Sequence, residues 1–201
     1  MLNENFVYIG AALSFLGALS YLIDTLKGKV QPNKVTWFVW ALAPLVAFWA
    51  TLQQGVGVQS LLTFMVGFNP LLIFLASFVN KKAYWKITKL DLTCGALAIV
   101  GLVLWKIMDI PDLAIFFGIL ADAIAAIPTA IKSFKEPETE NPNLFLGSGI
   151  AALITLLTIK AWNFEQFAFP AYIFVGGAIL FVLVQFRLGK KWQNLHLFLR
   201  H

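Results

Sequence analysis

Seven long apolar stretches, interrupted by short linkers that carry most of the lysines, leave this chain few ways to fold. They fall at residues 6–26, 35–52, 56–79, 90–107, 113–131, 144–159 and 167–186. A helix that crosses a bilayer takes about 20 apolar residues, with a range of roughly 17–25. The sixth stretch is the shortest, and Asn143 or Lys160 can extend it. A chain in lipid has to satisfy its own backbone hydrogen bonds, which favours helices. The stretches are uniformly apolar and do not alternate, which argues against barrel strands. The expected fold is an all-α membrane protein with seven transmembrane helices.

Composition agrees. The 201 residues are 60% hydrophobic and 12% charged, with a mean hydropathy of +0.80. A soluble domain is nearer about 45–50% apolar and about 25% charged. The first stretch is expected to be a retained helix, because it starts beside acidic Glu4 and ends in lysines without a small-residue cleavage site. Cys94 is the single cysteine, so the chain forms no intramolecular disulfide and has no cysteine metal motif.

The net charge of +5 is unevenly distributed. Linkers and tail on one side of the seven-helix frame carry Lys27, Lys29, Lys34, Lys81, Lys82, Lys86, Lys89, Lys132, Lys135, Arg187, Lys190, Lys191 and Arg200. The other side has Lys106 and Lys160. By the positive-inside rule the N-terminus is expected outside and the C-terminus in the cytoplasm, with the plasma (inner) membrane as the location. The basic excess is thus a topology signal and does not call for a nucleic-acid partner. Trp85 and Trp192 fall near the cytoplasmic boundary, and Trp49, Trp105 and Trp162 near the outer one, as interfacial anchors.

An internal repeat is visible. Pro32-Asn33 and Pro142-Asn143 each follow a lysine-containing linker and precede an apolar stretch, and 24–27 corresponds loosely to 129–132. The repeat relates helices one and two to helices five and six. Three crossings invert the chain direction, so a fourth, linking helix makes two three-helix halves parallel. The expected organisation is a first repeat at 1–82, a linker helix within 83–110, a second repeat at 111–190 and a cytoplasmic tail at 191–201.

Seven helices as 3+1+3 with an outside N-terminus resemble the SWEET sugar transporters and the wider PQ-loop family. That family's motif, a proline and a polar residue late in the first helix of a half, then a basic linker, is matched by Ile127-Pro128-Thr129-Ala130-Ile131-Lys132. The first half reads Leu22-Ile23-Asp24-Thr25-Leu26-Lys27, with Ile23 in the place of the proline. The resemblance implies facilitated transport of a sugar by alternating access, or, as in PQ-loop amino-acid exporters, proton-coupled transport of a small metabolite. It also implies a solute-facing role for Asn69, an asparagine in the third helix of a half. The matching part of the seventh helix, Val175-Gly176-Gly177-Ala178, has no asparagine. Receptors that bind a peptide signal without moving it share the fold and form a reading of another class.

The residues themselves nominate a site. Asp122 lies mid-helix in the fifth stretch with no lysine or arginine at its depth. An acid there costs about 2.5–3.5 kcal/mol on insertion scales, so it is expected to be neutral, hydrogen-bonded or facing a wet cavity. It is the candidate for solute binding and for proton coupling. Asn69-Pro70 brings an amide to a kinked point of the third helix, and Trp37 and Trp40 offer aromatic walls in the second. Pro44, Pro70 and Pro128 are candidate hinges, and Pro170 interrupts the seventh helix. Asp24, three residues before Lys27, is either a cytoplasmic gate or an exposed i,i+3 pair. Glu136, Glu138 and Glu140, with Pro137 and Pro142, read as a solvated loop, and Lys190-Lys191 as a contact for anionic headgroups. His196 and His201 lack ligand spacing. No catalytic constellation or cofactor motif is visible, so an enzyme is not expected. The expected partners are a small solute and the bilayer, with homo-oligomerisation left open.

Overall fold

The structure, a computed structural model, describes residues 2–3, 5–53, 60–107, 111–160 and 162–198. Among these the chain is helical without strands: α1 (Phe6–Leu26), α2 (Lys34–Gln53), α3 (Ser60–Ala76), α4 (Lys89–Ile107), α5 (Pro111–Lys135), a 3-10 turn at Pro137–Thr139, α6 (Pro142–Thr158), α7 (Phe164–Gln185) and α8 (Leu188–Phe198). The first seven match the seven apolar stretches. The start of the third stretch (56–59), the side chains of Trp105 and His196, and Arg200 and His201 lie outside the described residues.

Among the described residues, three helical segments are long and apolar enough to cross a membrane: Phe6–Leu26, Ile115–Lys135 and Gln166–Gln185. Lys34–Leu45, Thr63–Ala76 and Pro142–Thr158 are shorter apolar helices. The surface supports membrane association. Leu16, Leu75, Val103, Ile107 and Ile179 are all exposed, while Ser14, Thr36, Asn69, Asp122, Thr129 and Ser133 are buried. Large apolar side chains exposed in this number are unusual for a water-soluble protein.

Local chemistry sets the helix ends. The Asn33 side-chain oxygen accepts from the main-chain N–H groups of Val35 at 3.1 Å and Thr36 at 3.3 Å, capping α2. Asn141 caps α6 through the Asn143 N–H at 2.9 Å, with Pro142 in the first helical position. The structural repeat therefore pairs Asn33 with Asn141, two positions away from the match of the Pro-Asn dipeptides. At the end of α1, Gly28 takes φ 69° and Lys29 N–H donates to the Asp24 carbonyl at 2.9 Å, a Schellman-type stop. α8 begins after Arg187, which has φ 50°, and it runs through the expected boundary between second repeat and tail.

Packing is similar in the two parts of the chain. α3 lies against α1 and α2, and α7 lies against α5 and α6. The parts meet through α1 on α6 and α2 on α5, while α4 packs on α5 and α2. The α1–α6 contact is built from small residues. A Cβ on Gly17 would come within 2.5 Å of the Asn143 carbonyl oxygen, and one on Gly147 within 2.6 Å of the Leu13 carbonyl oxygen. Such closeness gives van der Waals contact where no hydrophobic force acts between helices in lipid.

Candidate functional site

A cavity of about 250 Å³ opens between α1, α2, α3, α5, α6 and α7; among the described residues α4 contributes nothing to its wall. Each of the six helices contributes to a wall that is mostly apolar, with Met65, Val66, Leu144, Phe145, Ile173 and Leu180 around a few polar groups. Asp122 sits on the α5 face that carries Ala123, Ala126 and Ala130, whose small side chains leave the space open.

Asp122 is buried and accepts a 2.6 Å hydrogen bond from the Tyr172 hydroxyl of α7. The Trp40 indole N–H donates to the Asp122 main-chain carbonyl at 3.4 Å. Both donors are neutral, and no lysine, arginine or histidine lies among the described lining residues. Asn69 of α3 donates through Nδ2 to the Ser14 hydroxyl of α1 at 3.0 Å, and its Oδ1 is buried without a partner. Trp37 is fully buried, with its ring 5.3 Å from that of Trp40 at 81°. Asn69, Trp37, Trp40 and Asp122, nominated separately from the sequence, thus share one wall. Pro70 lines the cavity, whereas Pro44 and Pro128 stay outside its lining.

Beneath Trp37, at the lysine-bearing end of the molecule, lies a cluster that sequence reasoning missed. The Tyr21 ring is 4.8 Å from the Trp37 ring, and its hydroxyl donates to Glu140 Oε2 at 2.6 Å. Glu140 Oε1 accepts from Lys132 Nζ at 2.7 Å, with both side chains fully buried. Lys132 also donates to the Gln31 carbonyl and lies 5.0 Å from the centre of the Trp85 ring. The cluster joins α1, α5 and the connections at 27–33, 77–88 and 136–141.

Two expectations are corrected here. Glu140 does not belong to a solvated loop: only its neighbours Glu136 and Glu138 are exposed, and Glu140 is drawn inward by Tyr21 and Lys132. Lys132 is not a linker lysine at an aqueous boundary, because α5 continues to Lys135 and carries it inside. A third expectation changes its partner. Asp24 does not pair with Lys27; it accepts from Asn141 Nδ2 at 2.6 Å and lies 3.7 Å from Lys29 Nζ. Asn33 Nδ2 makes the counterpart contact with Asp91 Oδ1, also at 2.6 Å. Each capping asparagine therefore clips its helix to an aspartate on another helix. Asn33 was visible as part of the Pro-Asn repeat, but neither the caps nor their aspartate partners, far away in sequence, were.

The described residues hold no group of three or more histidine, cysteine or acidic side chains placed to bind a metal. No protein-family model, curated protein or solved structure matches this chain. Its chemistry has to be read from the cavity itself. Into a mostly apolar wall the described lining sets one carboxylate, one amide, hydroxyls and two indoles.

Proposed function

We propose that the chain is a membrane transporter that moves a small polar solute by alternating access, with seven transmembrane helices arranged as 3+1+3. The observation that carries this reading is the cavity itself: interhelical, mostly apolar with a few polar groups set into it, and walled by six helices with α4 absent from the described lining. The recurring packing, α3 with α1 and α2, α7 with α5 and α6, supports two equivalent three-helix halves. Solute sites in transporters commonly lie at such a repeat interface near the midplane.

In this reading Asp122, Asn69, Trp37 and Trp40 contact the solute. The Tyr21–Glu140–Lys132 cluster closes the cytoplasmic side below Trp37, and the hinges Pro70, Pro44 and Pro128 let the halves rock. The N-terminus lies outside and the C-terminus in the cytoplasm of a plasma (inner) membrane. A sugar facilitator is the version that the SWEET resemblance implies. Asp122 supports a second version in which a proton is carried with the solute, because a buried acid without a fixed cation can exchange one.

The test is solute counterflow into liposomes holding the full chain, with solutes first selected by thermal shift of the purified protein. Saturable flux that Asp122→Asn reduces is the expected result. A solute that binds but never exchanges across the bilayer would instead mark a receptor. An imposed pH gradient separates the two transport versions, since only the coupled one accelerates.

A further inference from the structure

We infer that the cavity is built for a small organic cation. The inference rests on the transport reading for its biological sense, but its chemistry stands on the lining alone. Trp37 Nε1 is buried without a partner, but three other side-chain donors of the lining are already used by the protein. Tyr172 O–H goes to Asp122 Oδ2, Trp40 N–H to the Asp122 carbonyl, and Asn69 Nδ2 to Ser14. Beside the Trp37 N–H the cavity offers the negative charge of Asp122, the unpartnered Asn69 Oδ1, and the indole rings of Trp37 and Trp40.

The charge balance points the same way. A buried carboxylate left without a counter-charge costs several kcal/mol. The described lining supplies no base, and Asp122's two neighbours are neutral donors. A carboxylate accepts from donors aimed at it, whereas a carboxylic acid would need an acceptor for its own proton. An ammonium or guanidinium group placed between Asp122 and the indoles completes the site. It meets the carboxylate by charge and the indole rings by cation–π attraction. An anion would face Asp122 at a cost. A neutral polyol would leave the Asp122 charge without a counter-charge.

Choline and its uncharged carbon isostere, 3,3-dimethyl-1-butanol, form a matched probe pair that differs in charge but hardly in shape. Binding to the purified full chain is followed by tryptophan fluorescence and calorimetry, with glucose as the neutral polyol. Choline should bind at least about tenfold tighter than the isostere, a gap that cation–π and charge attraction comfortably supply. Asp122→Asn should bring the two within about twofold. If that variant does not fold, the wild-type comparison alone decides. Equal binding of the pair, or binding of glucose and not of choline, overturns the inference. Flux in liposomes separates this result from the transport reading. Choline that binds but does not cross sinks transport and keeps the cation site, while equal flux of the isostere or flux of glucose alone sinks the cation site and keeps transport.

Discussion

Tyr21 and Glu140 are 119 positions apart in sequence, yet the phenol of one donates to the carboxylate of the other at 2.6 Å. Glu140 is held from its other oxygen by Lys132, so one buried carboxylate ties the end of α1, the end of α5 and the connection into α6. Tyr21 in turn touches Trp37, and Trp37 touches Trp40. A change of packing at the cavity wall thereby reaches the charged cluster through two ring contacts.

Removing one member of the buried pair should be costly. Lys132→Met leaves Glu140 without its cation, and Glu140→Gln leaves Lys132 without its anion; each should destabilise by about 3–5 kcal/mol. The double replacement Lys132→Met with Glu140→Met should recover much of that loss, since an apolar pair is often as stable as a buried ionic one. Thermal unfolding of the three variants in one detergent measures the effect. Additive losses in the double variant would show that the two side chains act independently.

Tyr172→Phe removes the hydroxyl that donates to Asp122 while keeping the ring. A hydrogen bond to a charged group contributes about 1.5–3 kcal/mol to the folded protein, so the variant should be less stable by up to that amount. Thermal unfolding of the purified variant in one detergent reads this directly. An unchanged melting temperature would mean that the hydroxyl adds nothing to stability.

The α1–α6 contact depends on backbone approach. Gly147→Leu puts a side chain where a Cβ already meets the Leu13 carbonyl oxygen at 2.6 Å, and overpacking of this sort costs about 1–3 kcal/mol or more. Gly176→Ala is the stability control, because nothing lies within 4 Å of a Cβ there. The first variant should melt lower than wild type in detergent, and the second should melt at the same temperature or above it.

The C-terminal helix is held partly by charge. Lys190 Nζ lies 2.7 Å from Glu138 Oε1, and this hydrogen bond holds the Glu138 carboxyl below the usual carboxylate range. A depressed folded-state value means that the contact stabilises above the ordinary glutamate pKa and is lost as pH falls through the lowered one. α8 should therefore become more open to proteolysis only in acid, below about pH 4. Glu138→Gln should reproduce part of that opening at neutral pH. The effect should be small and should fade with salt, because both side chains are about half exposed.

The helices were legible because apolar length is a property of each segment taken alone. Asp122 was legible for a related reason: a charge in an apolar run stands out without any knowledge of its neighbours. Tyr172 was not, since a tyrosine in a membrane helix is ordinary until its hydroxyl is known to face an acid 50 positions away. Glu140 was hidden by company, lying two residues from an exposed glutamate in a proline-bounded loop. Lys132 was misread because lysines at helix ends usually reach water, and here the helix continues for three more residues. The repeat was visible as a Pro-Asn pair, but the register that matters belongs to the capping asparagines. In one half the cap follows the proline and in the other it precedes it.

The clips at the lysine-bearing end also order events during synthesis. Ser20, Tyr21 and Asp24 leave the ribosome well over a hundred residues before Asn141 and Glu140, their partners. Until the chain has grown that far, the end of α1 lacks these partners, although α3 can already pack on it. The last contacts of α1 are thus made late, and nascent chains that stop short of residue 140 should be the ones that quality-control proteases find.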